Sequence, residues 1–260
     1  MKIASWNVNS LRVRLPQVLD WLARALPDVL AMQETKLVDE NFPEVDFEAA
    51  GYKVIFSGQK TYNGVAIASR LPARDMTIGI PDFDDPQRRV IAATYGDVRV
   101  VNLYVPNGQS VDSDKYRYKL DWLNRLTGYL EQELERYPHL VVLGDFNIAP
   151  EDRDVHDPDA WRGQVLFSEP EHAAFRRLLA LGMCDTFRQF DQADKSYSWW
   201  DYRMNAFRRN MGLRIDHVLA SHALCKSCVA STIDTEPRRH ERPSDHAPVM
   251  AEFNVRGVRD

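Results

Sequence analysis

The sequence predicts an α/β fold, and three observations carry that expectation. Short apolar runs of strand length recur, among them Val29-Leu30-Ala31-Met32, Val90 to Tyr95 and Leu140-Val141-Val142-Leu143; such runs between turn residues read as buried strands. Stretches with apolar residues at helical spacing are interleaved with them, at Leu11 to Leu26, Lys115 to Arg136 and Pro170 to Leu181. Polar residues capable of chemistry stand where the apolar runs stop, the place where α/β sheets put ligand sites.

At 260 residues the chain can bury a sizeable core. With no repeat, low-complexity tract or linker, residues 1–260 are expected to form a single domain. Apolar content of 44% and charged content of 27% are ordinary for a globular chain. No apolar run approaches membrane-crossing length, so no membrane partner is expected. Met1 leads at once into a strand-like run, Lys2-Ile3-Ala4-Ser5-Trp6, which is not a secretory signal pattern. Three cysteines without a disulfide framework fit a reducing compartment, so the expected location is cytoplasmic. Cys225 and Cys228 form one C-x-x-C without the second pair a structural zinc needs, and they read as ordinary thiols. A net charge of −5 argues against a protein that coats nucleic acid. Yet Tyr202 to Ile215 holds four arginines (Arg203, Arg208, Arg209, Arg214) and no acid, and Arg238, Arg239 and Arg242 form a second cluster. An acidic whole with a basic rim suits an enzyme that binds phosphate locally.

In chain order, Lys2 to Asn9 reads as a strand ending in Trp6-Asn7-Val8-Asn9, followed by a helix, Leu11 to Leu26, that Pro27 stops and a second strand, Asp28 to Glu34, that carries Glu34 at its carboxyl end. This strand–helix–strand unit puts Asn7 and Glu34 at equivalent edges. Tyr52 to Ser57 and Gly64 to Ser69 read as strands, and Val90 to Tyr95 with Val98 to Val105 as a hairpin around Gly96-Asp97, ending near Tyr104 and Asn107. The helix Lys115 to Arg136 has Leu120, Leu123, Leu126, Leu130 and Leu134 on or near one face, and its charges read as a solvated face. Leu140 to Leu143 is a strand that delivers Asp145 and Asn147, on one side if extended, with Phe146 on the other. Gly, Asp and Asn also favour a plain turn here. Asp152 to Ser168 reads as a loop, Pro170 to Leu181 as a helix with Gly182 beyond its end, and Ser196 to Tyr202 as an aromatic segment running into the arginines. Leu213 to Ser221, Val229 to Ile233 and Ala247 to Phe253 read as strands, with Asp216 on the first and Asp245-His246 before the last.

Gathered together, Asn7, Glu34, Tyr104, Asp145, Asn147, Asp216, Asp245 and His246 supply carboxylates, amides and one imidazole. Metal-assisted phosphodiester hydrolysis needs such a set, and oxygen donors suit Mg²⁺ or Mn²⁺ better than zinc. The runs Trp6-Asn7-Val8-Asn9-Ser10-Leu11-Arg12, Gln33-Glu34-Thr35-Lys36, Gly144-Asp145-Phe146-Asn147-Ile148, Gly212-Leu213-Arg214-Ile215-Asp216 and Ser244-Asp245-His246-Ala247-Pro248 resemble those of the bacterial exonuclease III family, within the endonuclease/exonuclease/phosphatase superfamily. The resemblance spans the chain and implies a DNase I-like four-layer sandwich, two packed mixed β-sheets flanked by helices.

It also implies roles. Glu34 would be the principal metal ligand, with Asn7 nearby and Asp145, Asn147, Asp245 and His246 around the metal, Asp245 supporting a second metal position or the same histidine. Asp145 would align or deprotonate the attacking water, Asn147 donate to the phosphoryl oxygen, and His246 stabilise the pentacovalent centre. Asp216 would orient His246, and Tyr104 would contact the phosphate or act as an acid. Asn107, Arg203, Arg208 and Arg209 would contact DNA, and Trp199, Leu213 and Ile215 would surround an extruded base-free sugar. The implied enzyme is an Mg²⁺-dependent monomer, with Mn²⁺ as substitute. It would cleave duplex DNA 5′ to abasic sites and clear blocked 3′ ends. A phosphatase acting on inositol phosphates or phospholipids would share the metal site but has little use for aromatics feeding an arginine-rich loop. A catalytically dead DNA-binding module has no use for the full polar set.

Overall fold

The computed structural model describes residues 1–255. Its strands in chain order are β1 (Lys2–Asn7), β2 (Val29–Gln33), β3 (Lys53–Ser57), β4 (Val65–Ser69), β5 (Arg74–Ile78), β6 (Val90–Tyr95), β7 (Val98–Tyr104), β8 (Leu140–Asp145), β9 (Met183–Asp185), β10 (Asp216–Ser221), β11 (Cys228–Ile233) and β12 (Val249–Phe253). The helices are α1 (Leu11–Ala25), α2 (Glu44–Ala49), α3 (Asp114–Arg136), α4 (Pro158–Trp161), α5 (Glu169–Ala180) and α6 (His222–Cys225). Two six-stranded sheets result, ordered β11-β12-β1-β2-β4-β3 and β5-β6-β7-β8-β10-β9. Each is mixed, with one central parallel pair, β1/β2 or β7/β8, joined through α1 or α3.

Alternation along each strand builds the layers. Ile3, Ala31 and Ile67 of the first sheet face Val100, Val141 and Val218 of the second across a shared core. The intervening Ala4, Leu30 and Ala66 pack outward on Trp21 and Leu22 of α1 and Phe47 of α2. Val101, Val142 and Leu219 pack outward on Trp122, Leu126 and Leu130 of α3 and Phe175 and Leu178 of α5. The order is therefore helix, sheet, sheet, helix, as the resemblance implies. Central strands covered on both faces have no polar side to show, which is why they read as unbroken apolar runs.

The structure corrects several expectations. β5 is a mostly exposed edge strand and β9 has three residues, so neither carries a buried apolar signature. Residues 152–168 are not a plain loop: they contain a helical turn at Asp152–Asp154 and α4. The strand expected from Leu213 begins at Asp216, because Leu213 bridges instead to Val155 and Trp199. The charges of α3 are not all solvated, since Lys119 and Glu133 are buried between the sheet and its neighbours. Each is paired, Glu133 with Arg99 at 2.6 Å and Lys119 with Glu171, as buried charges must be. Cys225 is not a free thiol. β9 and α6 both pack on β10, bringing Cys184 and Cys225 to a Cα separation of 6.4 Å, where they form a disulfide; Cys228 is the free cysteine among the described residues.

Candidate active site

Strand direction and register assemble the site at one edge of the sandwich. β1, β2, β7 and β8 all end there, while β10, antiparallel to β8, starts there. Register sets Asp145 beside Tyr104 on one side and Asp216 on the other. Gly144 permits the close approach of β7 and β8: at φ 147° its Cβ would lie 1.9 Å from the Leu103 oxygen.

Asp145 Oδ1 accepts the Asn147 N–H and Oδ2 accepts the Asn7 amide, each at 2.9 Å. Asn147 is left-handed, φ 49°, so the strand-end turn and the site are made of the same residues. Its amide donates to the Val105 oxygen at 2.9 Å, and its oxygen accepts from exposed Asn107 at 3.2 Å. Phe146 turns back into the core against Phe175 and His217. Asn7 supports Asp145 directly, because its own oxygen is taken by the Asn9 N–H at 3.0 Å.

The buried His246 ring holds Asp216 through Nδ1, at 2.9 Å to Oδ2 and 3.1 Å to Oδ1. Its Nε2 lies 3.7 Å from Asp145 Oδ2. Ser198, missed in the sequence among its aromatic neighbours, donates to Asp216 at 2.7 Å and accepts the N–H groups of Ile215 and Asp216. Burial opposes a charge on His246, but the carboxylates of Asp216, Asp145 and Asp245 outweigh it and push the imidazole up to about 10. Burial, with Asp216 adding to it, pushes Asp145 up to about 7 against the pull of His246, Asn7 and the Asn147 N–H.

Glu34 lies just past β2 at φ 50°. It accepts the Tyr104 hydroxyl and pairs with Lys36 at 2.9 Å. Burial, then Glu34 and Asp145, drives the Tyr104 phenol well above its usual range, so it is a neutral donor. Arg89 stacks over the Tyr104 ring at 4.6 Å. Lys36 also donates to Asn9 at 2.6 Å, Asn9 donates to Asp245 at 2.8 Å, and the Trp199 indole donates to Asp245 at 3.0 Å. Asn9 and Lys36 stood inside the conspicuous motifs yet gave no spacing signal of their own.

Burial separates the remaining candidates. Arg214 is not a phosphate contact: it is 1% exposed and bound to Asp154 at 2.7 Å and Asp185 at 2.8 Å. Arg203 is exposed and paired with Asp201, while Arg208 and Arg209 are exposed on the same loop. Leu213 and Ile215 do not line an open pocket. They are 0% and 1% exposed, sealed in an apolar cluster with Val155, Leu166 and Phe167 against half-buried Trp199.

Asp145, Asp216 and His246 present ligand atoms within 4.8 Å of one another. With the imidazole charged and its Nδ1 held by Asp216, the donors left for a cation are carboxylates and amides with no thiol, which suits a hard divalent ion. The upward push on Asp145 marks a site short of positive charge, so the residues fit such an ion. A strand-edge site with a carboxylate-anchored histidine and oxygen donors that could hold a metal fits a phosphoester hydrolase. The chain belongs to the endonuclease/exonuclease/phosphatase family, whose profile matches residues 4–246. It is 38% identical over 266 residues to exodeoxyribonuclease III of Haemophilus influenzae, covering 97% of this chain and 100% of that one. Among solved structures it is similar to the 3′ phosphatase NExo from Neisseria bound to a product DNA hairpin, at 49% identity and a TM-score of 0.96, covering 98% of this chain and 100% of that one. An AP endonuclease from Archaeoglobus fulgidus matches at 44% identity and a TM-score of 0.95, with 98% and 100% covered.

Proposed function

We propose that this chain is a single-domain DNA repair nuclease, over residues 1–260, that uses Mg²⁺, with Mn²⁺ as substitute. It hydrolyses the phosphodiester 5′ to abasic sites in duplex DNA and acts at 3′ ends as a 3′-to-5′ exonuclease and 3′-phosphatase. The reading includes a cytoplasmic monomer. The observation that carries it is the line Asp216–His246–Asp145, in which one imidazole nitrogen is anchored at 2.9 Å and the other faces Asp145 at 3.7 Å. The named relatives supply the choice of DNA among phosphoester substrates.

Glu34, Asp145 and their neighbours would hold the cation, which when bound supplies Lewis acidity and a more acidic water. Asp145, steadied by Asn7 and the Asn147 N–H, orients the attacking water and takes its proton. His246, charged at neutral pH, offers Nε2–H to the phosphoryl oxygen, and Asp216 fixes its orientation and tautomer. The Asn147 amide donates beside it. Tyr104 stays protonated and stands as donor to the phosphate or the leaving oxygen.

The sealed Leu213–Ile215 cluster favours a second weighting, in which processing of 3′ ends outpaces abasic incision. An extruded sugar would have to open that cluster, whereas a terminal 3′ phosphate needs no such pocket. Single-turnover rates with Mg²⁺ on a duplex carrying one abasic analogue and on one carrying a 3′ phosphate, beside an inositol phosphate, test both. Cleavage of DNA but not of the inositol phosphate supports the nuclease. The reverse preference refutes it, and the ratio of the two DNA rates decides the weighting.

A further inference from the structure

Beneath the two asparagines of the site lies a buried ion pair that takes no part in the steps above. Lys119 on α3 and Glu171 on α5 are both 0% exposed. An ammonium has three protons to donate and accepts nothing, and each proton of Lys119 has a partner. One goes to Glu171, one to the backbone oxygen of Asn147 at 2.7 Å, and one to that of Asn107 at 3.1 Å. Glu171 also accepts the N–H of Leu166 at 3.0 Å, the N–H of Ser168 at 3.1 Å and the Ser168 hydroxyl at 2.5 Å. Gly108 leaves room for this arrangement, since a Cβ there would lie 3.2 Å from Lys119 Cδ.

Stability alone does not call for such a pair. Its desolvation cost is large, and apolar residues of similar volume commonly hold a core as well or better. An apolar pair cannot grip carbonyl groups, however. The two that Lys119 grips belong to Asn147 and Asn107, whose side chains meet at 3.2 Å. Asn147 also holds a left-handed backbone that its surroundings must over-determine.

We propose that Lys119 and Glu171 are a positioning pair that aims the Asn147 and Asn107 side chains at the substrate phosphate and ties residues 166–168 to the same setting. This rests on the reading of Asn147 as a phosphoryl donor. The test combines Lys119→Met with Glu171→Gln, close in volume and neutral, and reads single-turnover cleavage, DNA titration and thermal melting. A small misplacement of a reacting group can cost up to ~10²-fold in rate, so kcat should fall at least about tenfold, with KM for DNA within about threefold. Adding Asn147→Ala to the double variant should cost much less than it does in the wild-type background, because the amide is already misaimed. Wild-type kcat in the folded double variant, or losses fully additive with Asn147→Ala, overturns the proposal. If the double variant does not fold, Glu171→Gln alone is read by the same kcat-against-KM split and the same cycle. Asn147→Ala with wild-type kcat overturns the underlying reading and the proposal together. Inactive Asn147→Ala beside a fully active double variant overturns the proposal alone.

Discussion

Asp216→Asn keeps the shape at His246 and can keep one hydrogen bond, but it deletes a buried negative charge 2.9 Å from Nδ1. Asp216 is the leading influence holding the imidazole in its charged form, and with it the imidazole sits at about 10. At about pH 7.5 the wild-type ring is therefore almost wholly charged. Without Asp216, burial pulls it back toward or below the ordinary 6.5, with Asp145 and Asp245 resisting. A ring at about 6.5 is charged in only about one molecule in ten at pH 7.5, so protonation alone costs roughly tenfold there. Lost orientation of a donor that serves the transition state adds a factor of up to ~10²–10³. The first factor depends on pH and the second does not. The assay is single-turnover cleavage of a 3′-phosphate duplex by both proteins from about pH 6 to pH 9, expressed as the wild-type to variant ratio. That ratio should widen as pH rises and narrow toward pH 6. A ratio constant across the range would refute the electrostatic role and leave only a steric one.

Glu34→Gln preserves volume and removes one charge from the proposed cation site, so the Mg²⁺ concentration for half-maximal activity should rise at least ~10-fold; unchanged metal dependence would remove Glu34 from the proposed ligand set. Replacing Arg208 and Arg209 by Ala should lower the magnitude of the salt slope of DNA binding by up to about 1.8, at ~0.9 per phosphate contact. Arg214→Met should leave that slope unchanged and destabilise the fold by ~3–5 kcal/mol, since it breaks a buried pair with Asp154 and Asp185; a changed slope without destabilisation would return Arg214 to the DNA surface. In the metal-free protein, His246 is raised to about 10, so its contribution to stability is complete below 6.5 and is lost as pH rises toward 10. Asp145 is raised to about 7, so its stabilisation as the protonated form is complete below 3.8 and is lost as pH rises through 7. Both act in one direction, so Tm under a chelator should fall between about pH 6 and pH 9, and Mg²⁺ should reduce the fall. A flat profile would contradict the charge balance drawn for the site.

How far the sequence could be read depended on where each residue's partners lie in the chain. β1, β2, β7 and β8 are covered on both faces, so each was visible as an apolar run whose end is marked by a polar residue, and those ends are the site. Arg214 misled because its acids, Asp154 and Asp185, are remote in sequence and only meet it in the fold; a stretch of arginines without nearby acids looked free. Lys119 misled for the same reason, since helical spacing marks apolar positions and carries no sign that Glu171 waits on another helix. The spacing of Leu213 and Ile215 suggested a shared apolar surface, and they do share a cluster, but Leu166 and Phe167 fill it from a segment that lacked periodicity. Cys184 gave no pairing signal, because β9 is too short to be recognised as a neighbour of β10.

In the proposed reaction, water is activated at Asp145 and the phosphoryl group is met by His246 and Asn147. Asp145→Asn tests this assignment most directly, with cleavage and DNA binding measured on the same duplex in Mg²⁺. Asparagine keeps the size and an oxygen for the Asn147 N–H, but gives up the acceptor for the Asn7 amide and cannot take a proton. Cleavage should fall by ~10³-fold or more, within the ~10²–10⁴-fold typical of a lost general base, while Kd for DNA stays within about threefold. Cleavage within about tenfold of wild type, with binding intact, would move the chemistry away from Asp145 and contradict the site described above.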